Sequence, residues 1–487
     1  MMRGTMQRAS AAYAVLLVLT LITPACADDI VVVKAGTLYT GNGQVIEGGM
    51  LILRDGRVSQ VGQSLPVPKG ALVIEVAAGS ITPGLIDANA AIEADDTVML
   101  SSPKSARAVL HDFFCPRHRH KAVVGCCGST CSRALRHVEG GTCSECGFPN
   151  AKPPLAVGTK SWLSLAEHSS EVIPHTRVID SVDLRARDFD RLLRGGVTTV
   201  FVAPDSAAVI SSQGAIVRTG GSIDRRILRE TDAVKATIGT EPSWRGAGNR
   251  RPWRENVTFR TRRPTTRMGV GWVFRKAMYD TRGDALGIPP HGADTPSQAA
   301  MKTLRKVLNG EIPLRIQARQ RHDISTACRL AEEFSIPFVL EEATEAHHCI
   351  EELKRGGVSV IYGPIYINAP GHRAWSTEVA GARLHTMKAL LDAGIDTALT
   401  AHELRDEDGL ARQAMYAIRF GVEPQEVLKA VTATPARILG VGDELGTLEP
   451  GKRADVVVWS GRPFEATSMP VVVLIDGEIV LDRRKQG

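Results

Sequence analysis

The middle of this chain alternates short strands with helices, and this alternation constrains the fold more than any other feature. Apolar or β-branched runs predict buried strands at 196–202, 312–318, 336–340, 358–362 and 397–400. Helical patterns lie between and after them, at 323–334, 346–355, 380–393, 423–432 and 434–440. Strands that alternate with helices form βα units around a parallel sheet. The spacing predicts an α/β fold, a distorted TIM (β/α)8 barrel with its functional residues at the carboxyl ends of the strands.

The two ends of the chain predict strands without helices. Asp55-Gly56 and Asp476-Gly477 each separate two β-branched or apolar runs, which is a strong hairpin signal. The ends therefore predict two halves of one small β-sandwich, with the barrel inserted between them. The predicted organisation is a signal peptide at 1–27, half-sandwiches at 28–80 and 446–487, and a barrel at 81–445.

The first residues predict export. Arg3 and Arg8 precede an apolar run at 11–22 that is too short to span a bilayer, and Ala25-Cys26-Ala27 is a small-x-small cleavage site. The mature protein is then periplasmic or extracellular, with no membrane attachment after cleavage. A lipoprotein acylated at Cys26 is the alternative, although Thr23 stands where such a signal has an aliphatic residue.

Composition excludes two classes of protein. With 43% hydrophobic and 23% charged residues, the chain is globular rather than disordered. A net charge of +6 is mild for 487 residues and predicts no nucleic-acid partner. Nine arginines fall within 244–276, where Glu255 is the only acid; we interpret this stretch as an exposed loop rather than a polyanion-binding surface.

A Cys/His-rich insert at 111–152 interrupts the barrel pattern. Cys143 and Cys146 form a C-x-x-C-G turn, and Cys115 and His118 supply a second pair of ligands upstream. Thiolate and imidazole at this spacing make a tetrahedral Cys3His set, typical of structural zinc. The sequence therefore predicts zinc in the insert.

The remaining cysteines and histidines of the insert leave an alternative open. Cys126, Cys127, Cys131 and His137 form a candidate second metal set. Because an exported protein meets an oxidising compartment, the six cysteines of the insert are also compatible with disulfides. The interleaved histidines favour metal.

Four ordered motifs carry a resemblance to a known family. They are ITPGLID at 81–87, RGGVTTV at 194–200, TATPARILG at 432–440 and LEPGKRAD at 448–455. In this order they resemble the amidohydrolase superfamily, most of all its imidazolonepropionase-like branch. The resemblance implies hydrolysis of carbon–nitrogen, non-peptide bonds by one or two divalent metals. It also implies histidine ligands from strands one, five and six and an aspartate from strand eight.

This sequence departs from the family at those ligand positions. The residues found there are Asn89 and Ala91 on strand one, Gln317 on strand five, Glu342 or its neighbour Glu341 on strand six, and Ala401 on strand eight. Alanine donates nothing, and neutral amides are poor zinc ligands. A divalent metal in the barrel is therefore doubtful, and catalytic residues remain unassigned.

Two functions follow from these departures. The leading hypothesis is a superfamily member that has lost the standard catalytic metal site, a pseudoenzyme that carries the zinc-knuckle-like insert. The alternative is an active hydrolase with a rebuilt site, in which Asp87, Glu342, His402 and Glu403 hold Mg²⁺ or Mn²⁺. A small-molecule ligand and a homo-oligomer are both compatible with the sequence.

Overall fold

The computed structural model describes residues 30–92, 167, 170–243, 264–292, 295–365, 378, 384–405 and 409–484. The predicted signal peptide, the Cys/His-rich insert and the first part of the arginine-rich stretch lie outside these residues. Among the described residues, none of the helices is long and apolar enough to cross a membrane.

The described strands fall into three sheets. In chain order they are β1 (Ile30–Tyr39), β2 (Val45–Glu47), β3 (Gly49–Arg54), β4 (Arg57–Gln63), β5 (Leu72–Pro83), β6 (Leu85–Ala90), β7 (Val197–Val202), β8 (Ile210–Gln213), β9 (Ala215–Arg218), β10 (Ile227–Arg229), β11 (Val234–Thr237), β12 (Leu314–Ala318), β13 (Phe338–Glu342), β14 (Ser359–Tyr362), β15 (Thr397–Leu399), β16 (Val456–Trp459), β17 (Pro470–Ile475) and β18 (Glu478–Asp482).

Helices cover the strands of the middle region. They are α1 (Arg187–Arg194), α2 (Arg267–Ala285), α3 (Gln298–Leu308), α4 (Arg321–Phe334), α5 (Ile350–Arg355), α6 (Thr386–Asp392), α7 (Leu410–Arg419), α8 (Pro424–Ala430) and α9 (Ala433–Ile438). The pattern predicted at 346–355 is divided into a 3₁₀ turn, Ala346–His348, and the short α5.

Both ends of the chain contribute to one eight-stranded sheet. Its order is β18-β17-β16-β5-β1-β3-β4, with β2 on the edge of β1. The antiparallel pair β5 and β16 joins the two ends, with Pro83 opposite Val456 and Ser80 opposite Trp459. The predicted association of the two termini is therefore present as strand pairing within one sheet.

The middle of the chain forms two further sheets that face a common interior. One has the order β10-β9-β7-β6, and the other β15-β14-β13-β12-β11-β8. All neighbouring pairs from β11 to β15 are parallel, as the alternation of strands and helices predicts. Ile86 and Phe201 of the first sheet share one apolar cluster with Ile361 and Ala398 of the second.

Alternation along β12 separates a packing face from a polar face. Leu314, Ile316 and Ala318 join the large apolar cluster that includes residues of α4. Because successive side chains of a strand point to opposite faces, Arg315 and Gln317 point away from that cluster. Both are nonetheless buried, so their polar groups need partners inside the protein.

A buried arginine fastens the first of these sheets to the terminal sheet. Arg218, the last residue of β9, is 1% exposed and donates to Asp455 before β16 and to Asp476 in the β17–β18 turn. The backbone N–H of Asp476 also donates to Asp455 Oδ1 at 3.1 Å. Burial raises the pKa of Asp455 despite the opposing charge of Arg218. Burial alone would also raise the pKa of Asp476, but Arg218 and Arg453 hold that pKa below its ordinary value.

We expect Arg218→Met to lower the free energy of unfolding by about 3–5 kcal/mol, because it leaves two carboxylates at this junction without their shared cation. Urea titration followed by circular dichroism measures the loss. The matched control is Arg225→Met, since the Arg225–Glu478 pair lies in solvent and should contribute little. Equal effects of the two substitutions would contradict the role given to Arg218.

Candidate functional site

The predicted ligand positions lie at the carboxyl ends of strands. Asn89 is near the end of β6, Gln317 near the end of β12, and Glu342 is the last residue of β13. Ala401 follows β15 by two residues. The parallel pairing of β12 to β15 places the last three at one edge of their sheet, and Asp87 links β6 to the segment after β15.

Asp87 accepts hydrogen bonds with both carboxylate oxygens. Thr400 Oγ1 donates to Oδ1 at 2.5 Å, and the backbone N–H of Ala401 donates to Oδ2 at 3.0 Å. The backbone N–H of Asn89 adds a third bond, at 3.1 Å to Oδ1. Asp87 is completely buried, so these bonds replace the water that its charge would otherwise require.

His402 is held close to Asp87 by its backbone and by its ring. Its Nδ1 lies 2.8 Å from the carbonyl oxygen of Asn89, and because a carbonyl only accepts, Nδ1 carries the proton. The backbone of His402 has a φ of 52°, in the left-handed region. Its carbonyl accepts from Arg405 Nη1 at 2.6 Å, and Arg405 is in turn paired with Asp188.

Glu341, the alternative strand-six position, belongs to a buried triad of charges. Glu341 on β13 lies 2.5 Å from Arg315 Nε on β12 and 3.2 Å from Lys235 Nζ on β11. The Arg315 guanidinium also stacks over the ring of Phe201 and donates to the carbonyl of Ala88. Burial by itself raises the pKa of Glu341, but the charges of Lys235 and Arg315 outweigh it and hold that pKa below 4.5.

A second ionic cluster surrounds Arg319, which lies between β12 and α4. Its Nε and Nη2 donate to the two oxygens of Glu342, at 2.5 and 3.1 Å. Its Nη1 lies 2.9 Å from Glu241 and 3.2 Å from Glu378. Arg319, Glu342 and Glu378 are each 2–3% exposed and the side chain of Glu241 is 13% exposed, so one guanidinium contacts three largely buried carboxylates.

The side chain of Gln317 takes part in the same cluster. Its Nε2 donates to Glu241 Oε2 at 3.1 Å, and its Oε1 accepts from Ser206. Arg267 extends the cluster to α2 through Glu378, at 3.1 Å, and Asp323, at 2.9 Å. The strand-five and strand-six ligand positions are therefore both engaged within the protein.

The residues at the predicted ligand positions do not fit the divalent metal that the family implies. Gln317 and Glu342 contact the groups just described, and Ala401 provides only its backbone. Asn89 is fully buried, and within the described part of the chain both its amide nitrogen and its amide oxygen lack a hydrogen-bond partner. A neutral amide oxygen is a poor zinc ligand.

The rebuilt site of Asp87, Glu342, His402 and Glu403 is not assembled either. Across the described ranges, no three Asp, Glu, His or Cys side chains are grouped so that they could hold a metal ion. Asp87 is bonded to the Thr400 region, whereas Glu342 is bonded to Arg319.

The predicted metal ligands of the insert lie outside the described residues. They are Cys115, His118, Cys143 and Cys146, together with Cys126, Cys127, Cys131 and His137. Zinc in the insert therefore stays a prediction.

The sequence analysis missed the cations that pair with the buried carboxylates. Lys235, Arg315 and Arg319 were not singled out, although a signal exists in the segment LRIQAR. Arg315 and Gln317 stand two residues apart in the predicted buried strand 312–318, so their polar side chains share one face, and Arg319 follows that strand directly. A charged residue within a buried strand indicates an internal ion pair.

Comparison with known proteins agrees with this architecture. Residues 393–481 match a model of the amidohydrolase family. The chain is 25% identical to an amidohydrolase from Thermotoga maritima MSB8 of known structure, with a TM-score of 0.69, covering 93% of this chain and 100% of that one.

Two characterised sequences are also similar. Over 434 residues the chain is 22% identical to an imidazolonepropionase from Maricaulis maris (strain MCS10), covering 86% of this chain and 89% of that protein. Over 341 residues it is 26% identical to amidohydrolase tasK from Hapsidospora irregularis, covering 65% of this chain and only 34% of that protein. With the four motifs and the fold, these similarities make the chain a member of the amidohydrolase superfamily.

We expect Glu341→Gln to lower the free energy of unfolding by about 3–5 kcal/mol near neutral pH, because Lys235 and Arg315 then face an uncharged amide. The pKa of Glu341 is lower in the folded state than in the unfolded chain, so its stabilisation is complete above about pH 4.5. That stabilisation disappears as the pH falls through the lower, folded-state pKa.

Urea unfolding at a series of pH values checks both statements. The difference between wild type and Glu341→Gln should shrink as the pH falls below about 4.5. Glu333→Gln is the control, because the Glu333–Arg275 pair is partly exposed and should show a smaller loss. A difference that stays constant with pH would show that the charge of Glu341 is not responsible.

Proposed function

We propose that this protein is an amidohydrolase-superfamily member whose barrel has lost the catalytic divalent metal and serves as a scaffold for the zinc-binding insert at 111–152. In this proposal the two middle sheets are parts of one distorted barrel, and the terminal sheet corresponds to the β-sandwich of the family. Family membership by itself supports hydrolysis of carbon–nitrogen bonds. The residues at the ligand positions favour loss of the metal-dependent form of that activity.

The observation that carries the proposal is that carboxylates at the carboxyl ends of the middle strands are paired with cations of the protein itself. Glu342, at the strand-six position, is bonded through both oxygens to Arg319. Metal-dependent hydrolysis requires an ion that lowers the pKa of a bound water. A metal at this position would have to displace a buried guanidinium from its carboxylates.

The proposed role of the insert depends on its sequence. The C-x-x-C-G turn at Cys143 and the Cys115-x-x-His118 pair supply a closed ligand set of the structural type. The leader at 1–27 supports a periplasmic or extracellular location, where the scaffold would present this metal-binding unit. An active hydrolase with a rebuilt metal site is the competing function, and no described group of side chains favours it.

Metal analysis of the purified mature protein tests the proposal. We expect bound zinc in the wild type and its loss in the Cys143→Ser/Cys146→Ser variant. Cys328→Ser is the matched control, because Cys328 lies on α4, outside the insert, and its substitution should leave the zinc in place.

Deletion of residues 111–152 then separates the insert from the barrel. We expect the deleted protein to hold no stoichiometric divalent metal and to show no chelator-sensitive turnover of linear or cyclic amides. If metal survives the deletion and supports such turnover, the protein is an active hydrolase and the proposal is wrong.

A further inference from the structure

We propose that Arg319 takes over the structural role of a metal ion at the barrel mouth, as a permanent cation that joins carboxylates from three separate segments of the chain. This inference rests on the proposed loss of the barrel metal and explains how the mouth remains ordered without it. It assigns to Arg319 a positioning role that the family resemblance does not contain.

The three carboxylates come from distant parts of the chain. Glu241 follows β11, Glu342 ends β13, and Glu378 follows β14. Each contacts the one guanidinium, at 2.9, 2.5 and 3.2 Å respectively. A metal ion organises a protein in the same way, because it gathers oxygen ligands from separate segments around a single charge.

Arginine has the chemistry that this role requires. Its guanidinium stays charged under all conditions that a folded protein meets, and its five N–H donors have a fixed fork geometry. Here that fork is bidentate toward Glu342 and shares Nη1 between Glu241 and Glu378. Lysine would supply the charge but not the fork.

The backbone around Glu342 indicates that this contact determines local conformation. Glu342 and Ala343 have φ values of 63° and 52°, both in the left-handed region that residues other than glycine seldom adopt. Such strain persists only where surrounding contacts impose it. The two bonds from Arg319 hold the Glu342 side chain at this turn.

Removal of Arg319 has a consequence that removal of one partner of an ordinary ion pair lacks. Without the guanidinium, Glu241, Glu342 and Glu378 lose the cation that they share, while Glu378 keeps its contacts with Arg267 and Thr240 and Glu241 keeps its contact with Gln317. Mutual repulsion would destabilise the mouth, and an added cation would relieve it. Oxygen donors of this kind suit hard divalent cations.

The test compares the melting temperature of wild type and Arg319→Ala, with added Mn²⁺, Ca²⁺ or guanidinium ion. We expect Arg319→Ala to melt about 5 °C lower than wild type. We expect Mn²⁺ or Ca²⁺ at about 1 mM to restore most of that loss while leaving the barrel of the wild type unaffected. Guanidinium at low, non-denaturing concentration should also restore it.

Controls and a second variant make the outcome decisive. Arg275→Ala removes a partly exposed arginine–glutamate pair and should show neither the loss nor the cation response. If Arg319→Ala does not fold, Arg319→Lys replaces it, with a smaller loss expected and no divalent response because the ammonium occupies the space.

Three results would overturn the inference: rescue by guanidinium but not by divalent ions, no rescue at all, or an Arg319→Lys variant as stable as wild type. None of these results would contradict the proposed function. The proposed function fails only if the insert-deleted protein retains a catalytic metal.

Discussion

Neutralisation of buried carboxylates is the constraint on which the interior between the two middle sheets depends. A carboxylate removed from water is costly unless a cation or several hydrogen-bond donors replace the solvent. Glu341 has Lys235 and Arg315, Glu342 has Arg319, and Asp87 has Thr400 and the backbone of Ala401. The protein therefore meets this charge with its own cations and hydrogen-bond donors.

The same solution recurs where the sheet that contains β9 joins the terminal sheet. Arg218 stands between Asp455 and Asp476, just as Arg319 stands between Glu342 and its neighbours. In both places one arginine contacts carboxylates that are far apart in the sequence. The planar fork of a guanidinium allows this, because its N–H groups diverge toward separate acceptors. These buried ion pairs therefore connect distant segments of the chain, and the stabilisation from each pair depends on its neighbours.

Much of the fold could be predicted because it follows from local patterns. The runs at 312–318, 336–340 and 358–362 became β12, β13 and β14, with boundaries shifted by about two residues. The short strands β8, β9, β10 and β11 were missed, as was the long helix α2. Strands of three or four residues carry too few side chains to show a period, and the polar residues of α2 obscured its apolar stripe.

The candidate site was predictable in position but not in its contacts. The motifs located Asn89, Gln317, Glu342 and Ala401 at strand ends, and residue chemistry alone showed that the amides of Asn89 and Gln317 are poor zinc ligands and that the side chain of Ala401 offers no ligand atom. Which cation meets each carboxylate did not follow, because Lys235, Arg315 and Arg319 reach them from neighbouring strands.

The sequence by itself determined the βα order of the middle region, the joining of the two termini, the superfamily and which residues stand at the positions that the family motifs indicate. These features follow from the short hydrophobic period of strands and helices and from motifs of contiguous residues. Only the tertiary structure decided that Arg319 gathers Glu241, Glu342 and Glu378, and that Arg218 bridges Asp455 and Asp476. The physical reason is that an ion pair depends on a distance of a few ångströms between two side chains. The number of residues that separate them along the chain does not determine this distance.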